Sequence, residues 1–262
     1  MSHTWDPERY LTYADERGRP FVDLLARVGA ARPLRVADLG CGPGNLTVLL
    51  RERWPEAAIT GLDASPEMVD RARRDVPASA GVDFEVGDLR AWRPAEPVDV
   101  LVSNATLQWV PGHLDLLADL LGQVAPGGWL AFQVPGNFEE PSHTIRRDLA
   151  AEAPYAEHLR DVAVPSSHDP ADYLAALARL GCSVDAWETT YLHVLSGPDP
   201  VFTWVSGTGA RPTLQALGAV SADLRAAFEA EFRRRLATAY PEGPAGVVLP
   251  FRRIFVVARK PG

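Results

Sequence analysis

Short runs of β-branched and other apolar residues alternate with segments of helical periodicity through the first half of the chain. This spacing predicts five strands, at Arg35–Leu39, Ala58–Asp63, Val82–Val86, Val98–Ser103 and Trp129–Val134. Helices are predicted between them, near Leu46–Trp54, Pro66–Asp75 and Leu114–Leu121. Strands that alternate with helices in this way are typical of βαβ units and a parallel sheet.

Helix boundary signals support this pattern at two places. Ser65 can cap the helix that begins at Pro66, and Glu67 in its first turn favours the helix dipole. The segment Ala125-Pro126-Gly127-Gly128 predicts a turn that ends the third helix before the fifth strand begins.

After Val134 longer helical segments dominate, with only two further strands. These strands are predicted at Val184–Val194 and Arg253–Ala258, and the helices near Ser142–Glu152, Ala171–Leu180, Val201–Gly207 and Ala222–Tyr240. The expected fold is α/β, with a doubly wound, mostly parallel sheet of seven strands. Helical insertions follow the fifth strand and separate the last two, where they would cap the carboxyl edge that binds ligands in open α/β sheets.

Three segments follow from this pattern. Residues 1–30 are expected to form an N-terminal segment and helix that cover the ligand site. Residues 31–135 form the ligand-binding α/β core, and residues 136–262 supply the remaining strands with an inserted helical cap.

Composition excludes several classes of protein. The net charge of -8 disfavours a nucleic-acid partner, because that binding depends on neutralising phosphates with Lys and Arg. No run approaches the roughly 20 apolar residues that a membrane span needs, and no secretory signal is present, so a cytoplasmic protein is expected. Cys41 and Cys182 lack metal-ligand spacing, and no metal is expected.

The strongest chemical signal is Asp38-Leu39-Gly40-Cys41-Gly42-Pro43-Gly44-Asn45, where a strand runs into a glycine-rich turn that opens a helix. Gly40 suits the tight turn, and Gly42 and Gly44 would let a ligand approach the bare backbone. A dinucleotide fingerprint requires a small residue at the sixth position of the motif. Counted from Gly40 that residue is Asn45, which disfavours a dinucleotide.

Acidic residues end the next two strands. Asp63 ends the second strand, where a carboxylate can accept hydrogen bonds from both hydroxyls of a ribose. Because Ser65 already serves as the helix cap, ribose binding is favoured over capping for Asp63. Asp88 follows the third strand, where it could accept a hydrogen bond from an adenine amino group while Leu89 packs on the ring. An ordinary loop aspartate is the alternative for Asp88.

Asn104 and Trp109 follow the fourth strand, which would place them beside the reactive end of a bound cofactor. A purely structural position in the core is the alternative for Trp109.

These motifs resemble a known family. The glycine-rich turn, together with Asp63-Ala64-Ser65-Pro66-Glu67-Met68, resembles the signature of class I methyltransferases. Along the whole chain the sequence resembles the trans-aconitate 2-methyltransferase family. The motifs that carry this second resemblance are Trp5-Asp6-Pro7, Tyr10-Leu11, Glu16-Arg17, Arg19-Pro20, Asn104-Ala105, Leu107-Gln108-Trp109, Glu140-Pro141-Ser142-His143, Thr189-Thr190-Tyr191 with His193, Thr208-Gly209, Arg211-Pro212, and Pro250-Phe251 with Arg253.

The resemblance implies a Rossmann-like methyltransferase that uses S-adenosylmethionine to form a monomethyl ester of trans-aconitate. The cofactor-binding residues it implies are Tyr10, Asp38, Gly40, Gly42, Gly44, Asp63, Ala64, Met68, Asp88, Leu89, Asn104 and Trp109. For a substrate with several carboxylates, the candidate binding residues are Arg17, Arg19, His143, Tyr191, His193, Arg211 and Arg253. A solvated surface ion pair is the alternative for each arginine taken singly, and a position in the core is the alternative for His193. No general base is required, and Trp109, Tyr191 and His193 are expected to position the acceptor. The expected partner is a small anionic carboxylate, and the expected state is a monomer or a weak homodimer.

Alternatives remain at this point. Gly136 and Leu192 replace polar residues of the best-known family members, which leaves open another small acid or a natural-product hydroxyl as the acceptor. A catalytically silent cofactor-binding module is a second alternative, and a dehydrogenase is a third.

Overall fold

The computed structural model describes residues 18–262 and divides into two compact units. Unit 1 comprises the described residues up to Val134, together with Ser167–Thr189 and Arg253–Gly262. Unit 2 comprises Pro135–Ser166 and Thr190–Arg252. Tyr10 and Arg17, two of the predicted site residues, lie outside the described part of the chain.

Seven strands form one sheet in the order β3-β2-β1-β4-β5-β7-β6. They are β1 (Arg35–Leu39), β2 (Ala58–Asp63), β3 (Val82–Val86), β4 (Val98–Asn104), β5 (Val124–Pro135), β6 (Ser183–Leu195) and β7 (Val247–Arg259). All four pairings among the first five strands are parallel. β7 runs antiparallel to β5, since Lys260 N–H donates to the Gly128 carbonyl and Gly136 N–H donates to the Arg252 carbonyl. The predicted mostly parallel, seven-stranded sheet is confirmed.

The first α-helix of the described residues precedes β1, and the others lie between the strands along the chain. They are α1 (Arg19–Ala26), α2 (Val48–Arg53), α3 (Pro66–Asp75), α4 (His113–Gly122), α5 (Pro141–Ala150), α6 (Ala156–Leu159), α7 (Pro170–Arg179), α8 (Pro200–Ser206), α9 (Arg211–Val220) and α10 (Ala222–Ala239). Within residues 18–262, no helix combines the length and apolar character that crossing a membrane requires.

The predicted turn before the fifth strand is wrong in its position. β5 already begins at Val124, which pairs with Val98 of β4, so the segment from Ala125 to Gly128 lies inside the strand. A register shift between Val98 and Val100 accommodates the irregular start. The backbone amides and carbonyls near Gly127 are paired with the C-terminal end of the chain, and this tertiary pairing makes a strand of a segment that locally favours a turn.

The cores follow from the helical and strand periodicities. In unit 1, Phe132 of β5 is fully buried and lies edge-on to the buried ring of Tyr173 on α7. In unit 2, α10 presents Phe228, Phe232 and Leu236 at four-residue spacing, all of them buried. Burial of each such side chain contributes about 1.5–3 kcal/mol to the stability of its unit.

Candidate active site

The turn after β1 holds its shape through contacts that only glycine permits. Gly40 has φ +80°, and a Cβ there would lie 2.0 Å from the Thr106 hydroxyl. The N–H groups of Gly40 and Cys41 both donate to the Leu62 carbonyl at the end of β2, at 2.7 and 3.0 Å. Phe84 fills the space beside Gly44, where a Cβ would meet its ring at 2.6 Å. The space that a side chain at position 44 would need is therefore taken by packing against β3.

A cavity of about 260 Å³ lies at the carboxyl ends of the first four strands. Six of the predicted cofactor residues line it, namely Gly40, Asp63, Ala64, Asp88, Leu89 and Trp109. The other lining residues come from the ends of β2 and β3 and from the loop after β4. Parallel strands therefore bring together residues that are up to about 70 positions apart in the sequence.

Asp63, at the end of β2, is held beside the turn after β1 by two backbone donors. Its Oδ2 accepts a hydrogen bond from Gly42 N–H and its Oδ1 accepts one from Ser65 N–H, both at 2.9 Å. The Ser65 hydroxyl accepts from Met68 N–H at 3.3 Å, so Ser65 caps α3 as predicted. Each carboxylate oxygen of Asp63 keeps acceptor capacity for a further donor. The carboxylate is thus oriented in advance toward the cavity that it lines.

Asp88 is already engaged by a neighbouring guanidinium. Arg90 Nε donates to both carboxylate oxygens, at 3.0 and 2.9 Å. This hydrogen bonding lowers the pKa of Asp88 below its usual value. Leu89 is buried beside it and forms part of the cavity wall.

The end of β4 carries a polar network that the sequence did not suggest. Asn104 Oδ1 accepts a hydrogen bond from Gln133 Nε2 at 2.5 Å, and Gln133 Oε1 accepts one from Arg253 Nη1 at 3.4 Å. Asn104 is not among the residues that line the cavity. Ala105 follows it with φ +53°, a left-handed conformation that is costly for a residue with a side chain and that clusters at functional sites.

Trp109 lies in a short 3-10 turn after this network and is 40% exposed. The exposed indole excludes the structural alternative in which Trp109 belongs to the core. Thr106, which no motif singled out, also lines the cavity, and its hydroxyl lies within hydrogen-bond distance of the carbonyls of Asn104 and Gly40, at 3.2 and 3.3 Å.

Asp38 is a buried carboxylate with one unsatisfied oxygen. Its Oδ2 accepts a hydrogen bond from the Thr47 hydroxyl at 2.7 Å, whereas Oδ1 has no partner among the described residues. Burial raises the pKa of Asp38 to about 6, and the negative charge of Asp63 acts in the same direction. Asp38 therefore offers an acceptor for a cationic or hydrogen-bonding group.

In unit 2, two of the late sequence motifs meet. A Cβ on Gly209 would lie 2.8 Å from the ring of His143 on α5. Thr213 of α9 accepts a hydrogen bond through its hydroxyl from Arg146 of α5 at 3.1 Å. Burial, together with the charge of Arg146, lowers the pKa of His143 to about 4, so the imidazole is neutral at pH 7. Arg211 begins α9 and is exposed.

A second cluster in unit 2 is aromatic. Tyr191 and His193 are buried on one face of β6, and the His193 ring stacks on Trp204 with 4.6 Å between the ring centres. His193 also lies 5.8 Å from the ring of Phe251 on β7. Leu192, which replaces a polar residue of the family, lies between them in the strand and is 66% exposed. This substitution therefore changes the outer face and leaves the buried cluster intact.

The predicted substrate residues are distributed over both units. Arg19 and Arg253 belong to unit 1, and His143, Tyr191, His193 and Arg211 belong to unit 2. Arg19 is exposed and lies 3.9 Å from Asp23 one turn later in α1. Among residues 18–262, no group of three or more His, Cys, Asp or Glu side chains could hold a metal ion.

Comparison with known proteins bears directly on this arrangement. A family described as a methyltransferase domain matches residues 11–186. A trans-aconitate 2-methyltransferase of Streptomyces avermitilis is 55% identical over 98% of this chain and 97% of its own length. Another from Rhodococcus jostii is 52% identical over 97% of this chain and 99% of its own length. The chain belongs to the trans-aconitate 2-methyltransferase family.

Solved structures agree with this membership at the level of the fold. An S-adenosylmethionine-dependent methyltransferase from Mesorhizobium loti superimposes with a TM-score of 0.53 over 93% of this chain and 98% of its own, at 19% identity. This member of the family therefore has the seven-stranded sheet of the methyltransferase fold, and its unit 2 contributes further helices. Membership also removes the dehydrogenase alternative.

Proposed function

We propose that this enzyme transfers the methyl group of S-adenosylmethionine to a carboxylate oxygen of trans-aconitate or of a closely similar small polycarboxylate, which gives a monomethyl ester. The observation that carries the proposal is the 55% identity, over 98% of the chain, to a relative named for this reaction. The alignment covers the segments of unit 2, which are not part of a generic methyltransferase sheet.

The residues at the carboxyl edge of the sheet fit this cofactor. The preoriented carboxylate of Asp63 suits the two hydroxyls of a ribose, and Leu89 with Trp109 would provide apolar walls for an adenosine. The unpartnered Oδ1 of Asp38 suits a cationic amino group. Tyr10, Ala64, Met68, Asp88 and Asn104 complete the set that we propose to hold the cofactor, with the glycines of the turn. When bound, S-adenosylmethionine would supply an electrophilic methyl group on a positively charged sulfur.

The proposed reaction does not require the protein to transfer a proton. A carboxylic acid with a pKa near 4 is already ionised at pH 7, so its oxygen can attack without a general base. The protein must hold that oxygen in line with the methyl group and keep water away from the opposite charges that cancel in the reaction. We propose that Trp109, Tyr191 and His193 position the acceptor. None of them is required to act as a base.

A polycarboxylate also requires cations for the carboxylates that do not react. Arginine suits this purpose because its guanidinium binds carboxylates through two parallel hydrogen bonds. We propose Arg17, Arg19, Arg211 and Arg253 for these contacts, with His143 as a neutral donor. The helical insertions would contribute part of this set and the N-terminal segment 1–30 another part. We further propose a cytoplasmic enzyme, monomeric or weakly dimeric, with neither nucleic acid nor membrane as a partner.

The decisive experiment is product identification. Purified protein is incubated with methyl-labelled S-adenosylmethionine and trans-aconitate, and the product is analysed by mass spectrometry. We expect a single methyl group in a base-labile ester. A panel of cis-aconitate, citrate, tricarballylate and a phenol, tested in parallel, measures the preference.

Faster turnover of another acid would mean that this acid, and not trans-aconitate, is the preferred acceptor of carboxyl methylation. Turnover of the phenol alone would overturn carboxyl methylation. Cofactor binding without turnover of any acid would instead support the silent binding module.

A further inference from the structure

Arg146 is a buried cation that the described residues leave without an anionic partner. It projects from the middle of α5 and is 6% exposed. Its one hydrogen bond within residues 18–262 goes to the neutral hydroxyl of Thr213, and its Nε is buried without any partner. Burial and the neighbouring charge of Arg147 lower the pKa of Arg146, and no carboxylate acts on it in the opposite direction.

An unpaired buried guanidinium is costly, because arginine cannot lose its charge by releasing a proton at physiological pH. Proteins therefore pair such groups with carboxylates or with anionic ligands. The adjacent Arg147 shows the ordinary arrangement, since its guanidinium is exposed and bonds both oxygens of Glu139 at 3.2 and 3.3 Å. Arg146, one residue earlier, has no such neighbour in the described chain.

Arg146 lines an open cleft of about 260 Å³, which we name the α5–α9 cleft. Its polar lining consists of Arg146, Arg147, Arg160 and Thr213. The remaining walls are apolar side chains between Ala150 and Val164. Because Arg147 is already paired with Glu139, the cations that the lining offers to a ligand are Arg146 and Arg160, with no acidic side chain among the lining residues. Two such cations suit a ligand with more than one negative charge, and the apolar walls suit a short carbon skeleton.

We propose that the α5–α9 cleft binds carboxylate groups of the small polycarboxylate acceptor, with Arg146 as the residue that recognises the anion and Thr213 as the residue that positions its guanidinium. This inference rests on the proposed function for the identity of the ligand. The cleft itself follows from the burial, the hydrogen bonding and the charge of the residues that line it. None of these residues belongs to the motifs that resemble the family.

The test compares Arg146→Met with Arg147→Met, which removes the exposed, already paired cation one residue away. The first measurement is the thermal shift of the full chain with trans-aconitate in the absence of cofactor. We expect the shift of the wild type to be retained in Arg147→Met and lost in Arg146→Met. A shift of the same size in Arg146→Met, or an equal shift of the wild type with acetate at the same concentration, overturns the proposal.

The second measurement separates substrate binding from cofactor binding. We expect Arg146→Met to raise the KM for trans-aconitate by about 10- to 100-fold, the effect of one charge-assisted contact, with an unchanged dissociation constant for the cofactor. Arg146→Lys keeps the charge without the planar fork and is expected to recover part of the loss. Thr213→Val keeps the side-chain volume and should raise the KM by a smaller factor.

The two proposals fail separately. If the wild type methylates trans-aconitate while Arg146→Met and Thr213→Val retain its KM, the α5–α9 cleft is not an acceptor site, although the proposed function stands. If the wild type methylates no acid but shows an Arg146-dependent shift with trans-aconitate, the proposed function fails and the anion site stands. Arg146→Lys keeps the test valid if Arg146→Met does not fold.

Discussion

Asp38 in unit 1 and Arg146 in unit 2 are similar in environment and opposite in charge. Each is buried, each has one hydrogen bond to a threonine hydroxyl, and each keeps one buried atom without a partner in the described chain, Oδ1 in Asp38 and Nε in Arg146. Their responses differ because an acid can protonate, whereas a guanidinium cannot release its proton in a protein. Burial raises the pKa of Asp38 to about 6, and Arg146 remains charged.

The difference indicates what each of these two residues would gain from a ligand. Asp38 can lower its desolvation cost alone, by accepting a proton, and gains further from a cation or a donor. Arg146 has no such route, so its charge can be compensated only by an anion from elsewhere. The proposed cofactor carries positive charge and the proposed acceptor carries negative charge, which corresponds to these two requirements. The following predictions test this contrast, beginning with the largest expected effect.

Asp63→Ala should give the largest effect, because Asp63 combines ligand binding with the shape of the turn. The substitution removes the proposed acceptors for the ribose hydroxyls and the bonds from Gly42 and Ser65. We expect the affinity for S-adenosylhomocysteine, measured by calorimetry, to fall by about 100-fold or more. Asp70→Ala, an exposed acid on α3, is the control and should leave the affinity unchanged. An unaltered affinity in Asp63→Ala would exclude the ribose contact.

Asp38→Asn tests whether the buried acid adapts by protonation. A pKa raised from 3.8 to about 6 corresponds to about 3 kcal/mol. Because the pKa is raised in the folded state, this stability is fully present below pH 3.8 and is lost as the pH rises to about 6. We therefore expect the free energy of unfolding of Asp38→Asn, relative to the wild type, to increase by about 2.5 kcal/mol from pH 4 to pH 7.

Chemical denaturation without ligand, at a series of pH values, measures this difference. Asp83→Asn changes an exposed acid on β3 and is the control, with no expected dependence of the difference on pH. A constant difference in Asp38→Asn as well would mean that Asp38 titrates near its ordinary value, and the contrast with Arg146 would disappear.

The contrast also explains why only one of these residues was found from the sequence. Asp38 lies next to the last residue of a predicted strand, before a glycine-rich turn, and both features are local. Arg146 stands beside Arg147 on a helix, and nothing in that pair distinguishes the buried arginine from the exposed one. The hydrogen-bond partner of Arg146 is Thr213 of α9, 67 residues away in the sequence, and the helix that packs on α5 is the still more distant α10. Periodicity along one helix does not reveal which face a distant helix will cover.

Elements of the fold that depend on local signals were likewise predicted, whereas those that depend on distant contacts were not. β1, β2, β3 and α3 begin and end where the sequence predicted, because alternation and the Ser65-Pro66 start signal act within a few residues. α9 was missed, although Pro212 at its start is a favourable signal. Gln133 and Thr106 were missed as well, because each acquires its partners from other strands and loops of the sheet edge.

Arg146→Met should increase the free energy of unfolding, although we expect the same substitution to weaken acceptor binding. Replacement of an uncompensated buried ion by an apolar side chain of similar length commonly adds about 1–2 kcal/mol to the free energy of unfolding. Arg147→Met should stay within about 0.5 kcal/mol of the wild type, as expected for an exposed residue. Denaturation at pH 7.5 without ligand is the measurement. A loss of more than about 1 kcal/mol in Arg146→Met would mean that the guanidinium has a structural partner, and the contrast with Asp38 would need another explanation.

The smallest expected effect is that of pH on turnover between pH 7 and 9. In this range the acceptor carboxylate is ionised, His143 is neutral because its pKa is lowered to about 4, and Asp38 is ionised because its raised pKa still lies near 6. Arg146 keeps its charge throughout. We expect kcat with saturating trans-aconitate and cofactor to change by less than about two-fold. A rise of about tenfold through neutrality would require a general base and therefore an acceptor that must lose a proton, such as a phenol or an amine. That outcome would leave the charge of Arg146 uncompensated, because a neutral acceptor has no negative charge with which a buried guanidinium could pair.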